Sequence, residues 1–162
     1  IYTHLVVGSG QMCIRDRTID LSEPTNPRII GELKIPGVST YIHPVGDTHL
    51  LTIGIAGDDE GLDWGVTQIS FFDVSDFSNP ILESELKLNP APNEENGWSY
   101  SHSEATYEHK AFQYWESDGL LAIPLSTSRW FENSVIEDGK TYNYYGYEYV
   151  SKLLLILSLI HI

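Results

Sequence analysis

Short stretches rich in Ile, Val, Leu and Phe alternate with clusters of Gly, Pro, Asn, Asp and Ser along most of this chain. The first clear pair is Ser39–Val45 and His49–Ile55, which flank the tight-turn signal Gly46-Asp47-Thr48. Thr67–Val74 and Ile81–Leu88 follow at similar spacing. Strands of about four to eight residues bounded by turn residues are typical of all-β proteins. No segment before residue 147 sustains the roughly 3.6-residue apolar period of a helix, so the pattern predicts sheets of short strands.

A seventeen-residue stretch occurs twice, at 19–35 (IDLSEPTNPRIIGELKI) and at 72–88 (FDVSDFSNPILESELKL), with a shift of 53 residues and no gap. The seven identical positions are Asp20/Asp73, Ser22/Ser75, Asn26/Asn79, Pro27/Pro80, Glu32/Glu85, Leu33/Leu86 and Lys34/Lys87. About four strands per unit at a period of about 50 residues are typical of a propeller blade. The predicted fold is therefore all-β, a partial β-propeller of four-stranded antiparallel blades.

The repeat continues beyond this block with a changed spacing. Thr40-Tyr41-x-His43 returns as Thr106-Tyr107-x-His109, and Leu50-Leu51-x-Ile53 returns as Leu120-Leu121-x-Ile123. The larger shift indicates an insertion rich in Pro, Asn and Gly, which are loop-forming residues. We therefore predict the end of one blade at 18–38, a complete blade at 39–88, an insertion loop at 89–102 and an incomplete blade at 103–150.

Residues 1–17 and 151–162 do not fit the repeat. The segment 11–17 (QMCIRDR) holds the only Met and the only Cys of the chain, and 153–162 reads LLLILSLIHI. Ten residues are too few for a membrane-spanning helix, which needs about 20, so no membrane span is predicted. Both segments resemble adapter read-through at the ends of metagenomic reads, and we interpret them as artefactual. A natural strand and a natural apolar tail are the alternative.

The chain carries 23 acidic and 9 basic residues, a formal net charge of −14 with neutral histidines. Such a surface repels phosphate, so nucleic acid and anionic membranes are not expected partners. Cys13 is the only cysteine, which excludes an intrachain disulfide.

The segment 57–63 (GDDEGLD) concentrates four carboxylates, Asp58, Asp59, Glu60 and Asp63, between glycines. Clustered oxygen ligands suit Ca²⁺, which takes about 6–8 of them. The spacing is not that of an EF-hand loop. The segment is therefore a candidate Ca²⁺ site, with a plain acidic surface loop as the alternative.

Three further groups are candidates for chemistry or for packing. His102, Glu104 and His109 could bind Zn²⁺, although the equivalence of His43 and His109 in the repeat favours a structural role. The repeated Asp20 and Asp73 are expected to cap turns through Asx-type hydrogen bonds. The repeated tyrosines at 41 and 107 are expected to pack inside a blade with their hydroxyl groups bonded to backbone.

The second half of the chain is rich in aromatic residues. Five tyrosines lie between Tyr142 and Tyr149, and Trp98, Tyr100, Trp115 and Trp130 add to them. Aromatic platforms with acidic neighbours can hold sugars, whereas β-strands are enriched in aromatics for packing alone. Both interpretations stay open at this point.

The segments TYIHPVGDTHLLTIG (40–54), QISFFDVSDFSNP (68–80), SEATYEHKAF (103–112) and GLLAIPL (119–125) carry a family resemblance. The chain resembles prokaryotic secreted proteins with a C-terminal β-propeller domain, a family distant from WD40 repeats. The DVSDxSNP element is also similar to LVIVD-type repeats of surface proteins. The resemblance implies export to the cell envelope or beyond, and a longer parent chain that supplies the remaining blades. It brings no catalytic motif.

The expected function is a non-enzymatic binding or scaffold module with a protein or carbohydrate ligand. A propeller-based carbohydrate-active enzyme, a lyase or a hydrolase, is one alternative, and a Ca²⁺-stabilised structural repeat is another. No catalytic or cofactor-binding residue is assigned.

Overall fold

The computed structural model describes residues 3–8, 15–34, 36–58, 61–89 and 99–157, and most of them lie in β-strands of three antiparallel sheets. The first sheet contains, in spatial order, β1 (Thr3–Gly8), β2 (Arg15–Asp20) and β3 (Arg28–Lys34). The second contains, again in spatial order, β4 (Val38–Val45), β5 (His49–Asp58), β6 (Gly61–Asp73) and β7 (Ile81–Lys87).

The third sheet contains β8 (Ser99–His102), β9 (Gln113–Trp115), β10 (Leu120–Glu137) and β11 (Lys140–Leu157). Its order is β11-β10-β8, and β9 pairs with β10 near the start of β10. Three 3₁₀ helices, Glu104–Thr106, His109–Ala111 and Glu116–Asp118, fill the connections before β10. The prediction of an all-β fold with four-stranded antiparallel sheets is confirmed.

The repeated aspartates form the predicted Asx turns. Asp20 Oδ1 accepts a hydrogen bond from Ser22 N at 2.9 Å, and Asp73 Oδ1 accepts one from Ser75 N at 2.7 Å. These backbone hydrogen bonds favour the ionised carboxylate, so the pKa of both groups lies below its usual value. Each turn ends with a proline, which cannot donate to a strand ladder and so marks the start of the outer strand.

A buried apolar cluster lies between the second and third sheets. The second sheet contributes Val45, Leu51, Ile53, Ile69 and Phe71, and the third-sheet region contributes Ala105, Phe112, Leu121 and Ile123. The two copies of the Leu-Leu-x-Ile motif thus meet in one core. A smaller cluster around Phe72 and Val74, with Leu33 packed against it, joins the first two sheets. Burial of these side chains is the main favourable contribution to the sheet stack.

Hydrogen bonds also join the sheets. Thr67 N donates to Ser101 Oγ at 2.8 Å, and Thr67 Oγ1 donates to Ser101 O at 3.1 Å, which links the second and third sheets. Thr18 Oγ1 donates to Phe77 O and links the first and second. These bonds satisfy polar groups at the sheet interfaces, where an unpaired group would be costly.

The two copies of Thr-Tyr-x-His adopt different structures, contrary to the sequence interpretation. The first copy lies in β4, whereas the second lies in the 3₁₀ segment. Local hydrogen bonds cause the difference: Ser103 Oγ accepts from Ala105 N at 3.2 Å and Glu108 Oε1 accepts from Lys110 N at 3.1 Å. Such caps compete with strand pairing. Tyr107 is consequently 71% exposed rather than packed inside a blade.

Strand pairing also places residues differently from the sequence alignment. In β4, His43 pairs with Leu51, and in β9, Tyr114 pairs with Leu121. The structural equivalent of His43 is therefore Tyr114, and the assumed equivalence of His43 and His109 is wrong. Tyr41 does pack internally, with its ring 4.9 Å from that of Phe112, but its hydroxyl group contacts His43 Nδ1 at 3.3 Å rather than backbone.

Parts of the segments predicted to be a loop or artefacts lie in strands. Residues 99–102 of the predicted insertion loop form β8, and residues 15–17 belong to β2. Residues 151–157 form the last part of β11 in register with β10, where Leu154 and Ile156 pack against the main core. Residues 11–14 and 158–162 lie outside the described residues. The artefactual origin of these segments stays a prediction.

Candidate functional site

The hairpin of β10 and β11 extends beyond the described part of β8. Ser99, the first described residue of β8, pairs with Arg129, whereas β10 and β11 stay paired to Glu137 and Lys140. Asp138 and Gly139 close the hairpin with positive φ angles of 50° and 73°, as a two-residue turn with the right twist requires. We call residues 130–147 the hairpin arm. No other strand in the described part of the chain pairs with it.

One face of the hairpin carries four aromatic side chains. Trp130 pairs directly with Tyr147, and their rings are 4.9 Å apart in an edge-to-face arrangement. Tyr145 stacks on Trp130 at 6.2 Å, and the Tyr149 ring lies 6.2 Å from that of Tyr147. Residues two apart on a strand share a face, which explains the continuous row. We call Trp130, Tyr145, Tyr147 and Tyr149 the aromatic platform.

The aromatic platform faces solvent. Tyr145, Tyr147 and Tyr149 are 57%, 54% and 74% exposed. The side chain of Glu132, which pairs with Tyr145, adds a carboxylate beside the rings. Ring faces with hydroxyl groups at their ends can contact apolar surfaces and form hydrogen bonds at once. Within this chain, the three tyrosines are exposed to solvent and do not pack between sheets.

Cross-strand contacts on both faces of the hairpin hold its register. Arg129 Nε donates to Glu148 Oε2 at 2.5 Å across the strand pair. Ser134 Oγ donates to Asn143 Oδ1 at 2.8 Å nearer the turn, on the platform face. Cross-strand pairs of this kind each add a modest stabilisation, and they keep the aromatic side chains of both strands on fixed faces.

The described residues of the predicted Ca²⁺ loop lie at the end of β5 and the start of β6. Asp58 Oδ1 accepts from Gly61 N at 3.0 Å, and Asp63 Oδ1 accepts from Gly65 N at 3.0 Å. Asp59 and Glu60 lie outside the described residues. Asp58 and Asp63 are not part of any three-ligand group found among the described side chains. The visible contacts are those of turn capping, and the Ca²⁺ site stays a prediction.

The predicted Zn²⁺ ligands are not brought together. His102 lies in β8 and stacks between Tyr100 and Tyr107, with ring centroids 6.3 and 5.7 Å away. His109 lies in a 3₁₀ helix with its side chain 70% exposed, and its Nδ1 is 3.7 Å from Glu108 Oε1. Among the described residues, His102, Glu104 and His109 form no group with converging ligand atoms.

A second aromatic cluster lies between β4 and β9. The ring of His43 is 5.4 Å from that of Phe112 and 5.6 Å from that of Tyr114. Burial lowers the pKa of His43 and raises the pKa of Tyr114, because desolvation disfavours the charged form of each. Both side chains are therefore held neutral, and they contribute apolar contact area at the edge of the core.

Sequence reasoning missed one group of three metal-ligating side chains, His49, Asp73 and Glu83, whose ligand atoms all lie within 4.8 Å of one another. His49 and Asp73 are direct partners on β5 and β6, and Glu83 lies on β7. The three residues are far apart in sequence, and no motif connects them. Only the register of the strands could have indicated their proximity.

Comparison with known proteins identifies a matching family and relatives of part of the chain. The model of the family described as "Beta propeller domain" matches residues 18–158. An uncharacterised protein of Methanocaldococcus jannaschii is 51% identical over 71 residues, which is 44% of this chain and 10% of that protein. An uncharacterised protein of Archaeoglobus fulgidus is 33% identical over 106 residues, which is 65% of this chain and 14% of that protein.

The chain thus spans only about a seventh or less of the length of these relatives. No solved structure matches it significantly. None of the helices in the described ranges has the length and apolar character that a membrane span requires.

Proposed function

This chain belongs to the β-propeller domain family, and we propose that it is a non-enzymatic binding or scaffold module of an exported or cell-surface propeller protein. The rest of that propeller is supplied by a longer parent chain. Export rests on the resemblance to secreted propeller proteins. The ligand is a carbohydrate or a protein surface.

The exposed aromatic platform is the observation that carries this proposal. Strand pairing fixes the backbone that carries its four rings, and aromatic side chains have few rotatable bonds, so binding costs less side-chain entropy than it would for long flexible side chains. Tyr and Trp are the side chains most enriched at binding hot spots. The formal net charge of −14 favours neutral or cationic ligands over anionic ones.

The enzyme alternative needs His, Tyr and carboxylate groups that converge in one pocket. His43, His102 and His109 lie on β4, on β8 and in a 3₁₀ helix. No observation on the described residues favours a lyase or a hydrolase over a binding module, and the same experiment can test for product formation.

Affinity electrophoresis in gels that contain neutral polysaccharides, such as cellulose derivatives, chitin derivatives or xylan, tests the proposal. We expect at least one polysaccharide to retard the chain, and we expect Trp130→Ala and Tyr147→Ala to reduce the retardation at least about tenfold, a typical hot-spot effect. Tyr142→Ala is the matched control, because Tyr142 is a 44% exposed tyrosine on the opposite face of the same strand.

Two outcomes would contradict the proposal, and a third would restrict the ligand to a protein. Retardation that survives in both platform variants would show that the platform is not the binding surface. New reducing ends or unsaturated sugar products would show an enzyme instead. Absence of retardation by every polysaccharide would overturn the carbohydrate ligand and leave a protein ligand, for which the same variants are the test.

A further inference from the structure

One end of the second sheet brings together side chains that the proposed function does not use. The ligand atoms of His49, Asp73 and Glu83 all lie within 4.8 Å of one another, and His49 Nε2 is 3.6 Å from Glu83 Oε2. His49 and Asp73 are half-buried, and Glu83 is exposed. A set of one imidazole and two carboxylates at such distances is close to the size of a three-ligand metal site.

The imidazole of His49 is oriented by two contacts that leave Nε2 directed at the carboxylates. Its Nδ1 lies 2.9 Å from the hydroxyl group of Thr48. Its ring stacks on Phe71, with centroids 5.0 Å apart and planes 9° apart, and Phe71 is 1% exposed. Metal-binding histidines almost always bond their second ring nitrogen to a fixed polar group. His49 has this arrangement before any ion binds.

The carboxylate of Asp73 is also fixed. Its Oδ1 accepts the Ser75 N–H at 2.7 Å. This contact belongs to the repeated turn and places the carboxylate opposite His49 on the neighbouring strand. One oxygen of Asp73 therefore orients the group, and the other is directed away from that hydrogen bond.

The position of Glu83 results from a β-bulge. Phe71 pairs with Ser84 and Phe72 pairs with Leu82, so Glu83 is the extra residue on β7. A bulge bends the strand and changes the direction of a side chain. The bulge occurs at the same repeat position in the first sheet, where the extra residue is Ile30.

The first sheet therefore serves as an internal comparison. There the equivalent carboxylate, Asp20, has a cation from the chain itself, because Arg28 Nη2 lies 2.9 Å from Asp20 Oδ2. The second sheet has Ile81 at the position of Arg28. At this location the second sheet has no counterpart of Arg28, and it carries a second carboxylate, Glu83, and an imidazole, His49. The same location thus needs a positive charge from another source.

We propose that His49, Asp73 and Glu83 bind one divalent transition-metal ion of the Zn²⁺ class. An imidazole ligand favours Zn²⁺ and its neighbours over Ca²⁺ and Mg²⁺, which prefer oxygen ligands alone. Three protein ligands leave coordination positions for water or for a further group. The ion takes the place that Arg28 holds in the first sheet, and it clamps the three strands β5, β6 and β7 together.

Isothermal titration of the metal-free full chain with Zn²⁺, together with the visible spectrum of the Co²⁺ form, tests this proposal. We expect one ion per chain, with affinity at least about tenfold weaker in His49→Gln and in Glu83→Gln, as loss of a ligand predicts. His109→Gln is the matched control, since His109 also lies beside a glutamate, at 3.7 Å, but belongs to no three-ligand group among the described residues. It should bind Zn²⁺ as the natural chain does.

Ile81→Arg gives a second, constructive test. It restores the arginine of the first sheet beside Asp73, so the chain should keep its fold and lose Zn²⁺ binding. Circular dichroism of each variant separates loss of a ligand from loss of structure, and Glu83→Gln changes only an exposed side chain.

Absence of Zn²⁺ binding to the natural chain would overturn the proposal. Binding that persists in folded His49→Gln, or that is lost in His109→Gln, would also overturn it. Neither result bears on the aromatic platform, which lies in the third sheet.

Discussion

Replacement of Leu121 by alanine tests whether the second and third sheets share one core. Leu121 is 0% exposed and lies in the cluster that also contains Leu51 and Phe71. The substitution removes three carbon atoms, a transfer term of about 2.4 kcal/mol at about 0.8 kcal/mol for each buried methylene. The cavity left behind adds to this, so the expected loss in free energy of unfolding is about 3 to 4 kcal/mol.

Leu155→Ala is the matched control for this experiment. Leu155 lies on β11, the strand next to Leu121, and is 58% exposed. The same chemical change should cost less than about 0.5 kcal/mol there. Two leucines one strand apart thus differ in the predicted effect only because the tertiary structure buries one of them.

Urea denaturation at low protein concentration, followed by circular dichroism, measures both effects. With a slope of about 2 kcal/mol per molar urea, the midpoint should fall by about 1.5 to 2 M for Leu121→Ala and by less than about 0.3 M for Leu155→Ala. Equal shifts for the two variants would refute the shared core. Unequal slopes would instead indicate that unfolding is not a two-state process.

Three further predictions follow from local contacts. Gly37→Ala should lower the free energy of unfolding by about 1–3 kcal/mol in a urea titration, because the φ angle of Gly37 is +101° and a Cβ there would lie 2.7 Å from Ile55 O. Gly65→Ala is the control and should lower it less, because the nearest atom to its Cβ would be 3.3 Å away. The pKa of Asp73 is lower in the folded chain than its ordinary 3.8. The ionised carboxylate of Asp73 therefore stabilises the fold at pH values above 3.8, and this contribution is lost as the pH falls through the pKa of the folded chain. Asp73→Asn should therefore reduce the change of the urea midpoint between about pH 5 and about pH 2. A variant whose midpoint depends on pH as that of the natural chain does would contradict this. The isolated chain should self-associate through the edge of β11 that pairs with no strand in the described part of the chain. Leu155→Lys should reduce this association in sedimentation velocity, and a monodisperse natural chain would disprove the expectation.

Local interactions were predictable from the sequence. The Asx turns at Asp20 and Asp73 involve an N–H only two residues away, so a repeated Asp-x-Ser is enough to indicate them. Strand type and the four-stranded units followed equally from short apolar runs and their turn residues. These features depend on near neighbours, whose identity is read directly from the chain.

Other features depended on competing local contacts or on partners that the repeat could not reveal. The second Thr-Tyr-x-His repeats a motif that forms a strand in its first copy. Here side-chain caps from Ser103 and Glu108 stabilise 3₁₀ helices instead. The exposure of Tyr145 and Tyr147 depends on what packs on their face of the hairpin arm, which distant parts of the chain decide. A pattern of aromatics alone cannot distinguish a solvent-exposed row from a packed one.

The fold class, the repeated unit and its turns follow from the amino-acid sequence, because they arise from residue preferences and contacts within a few positions. Which side chains meet across strands depends on the three-dimensional packing of the chain. His49, Asp73 and Glu83 converge because antiparallel register and one bulge bring three distant positions to the same end of a sheet. A shift of one residue in the register of any of these strands would turn its side chains to the opposite face, and no motif in the sequence connects the three positions.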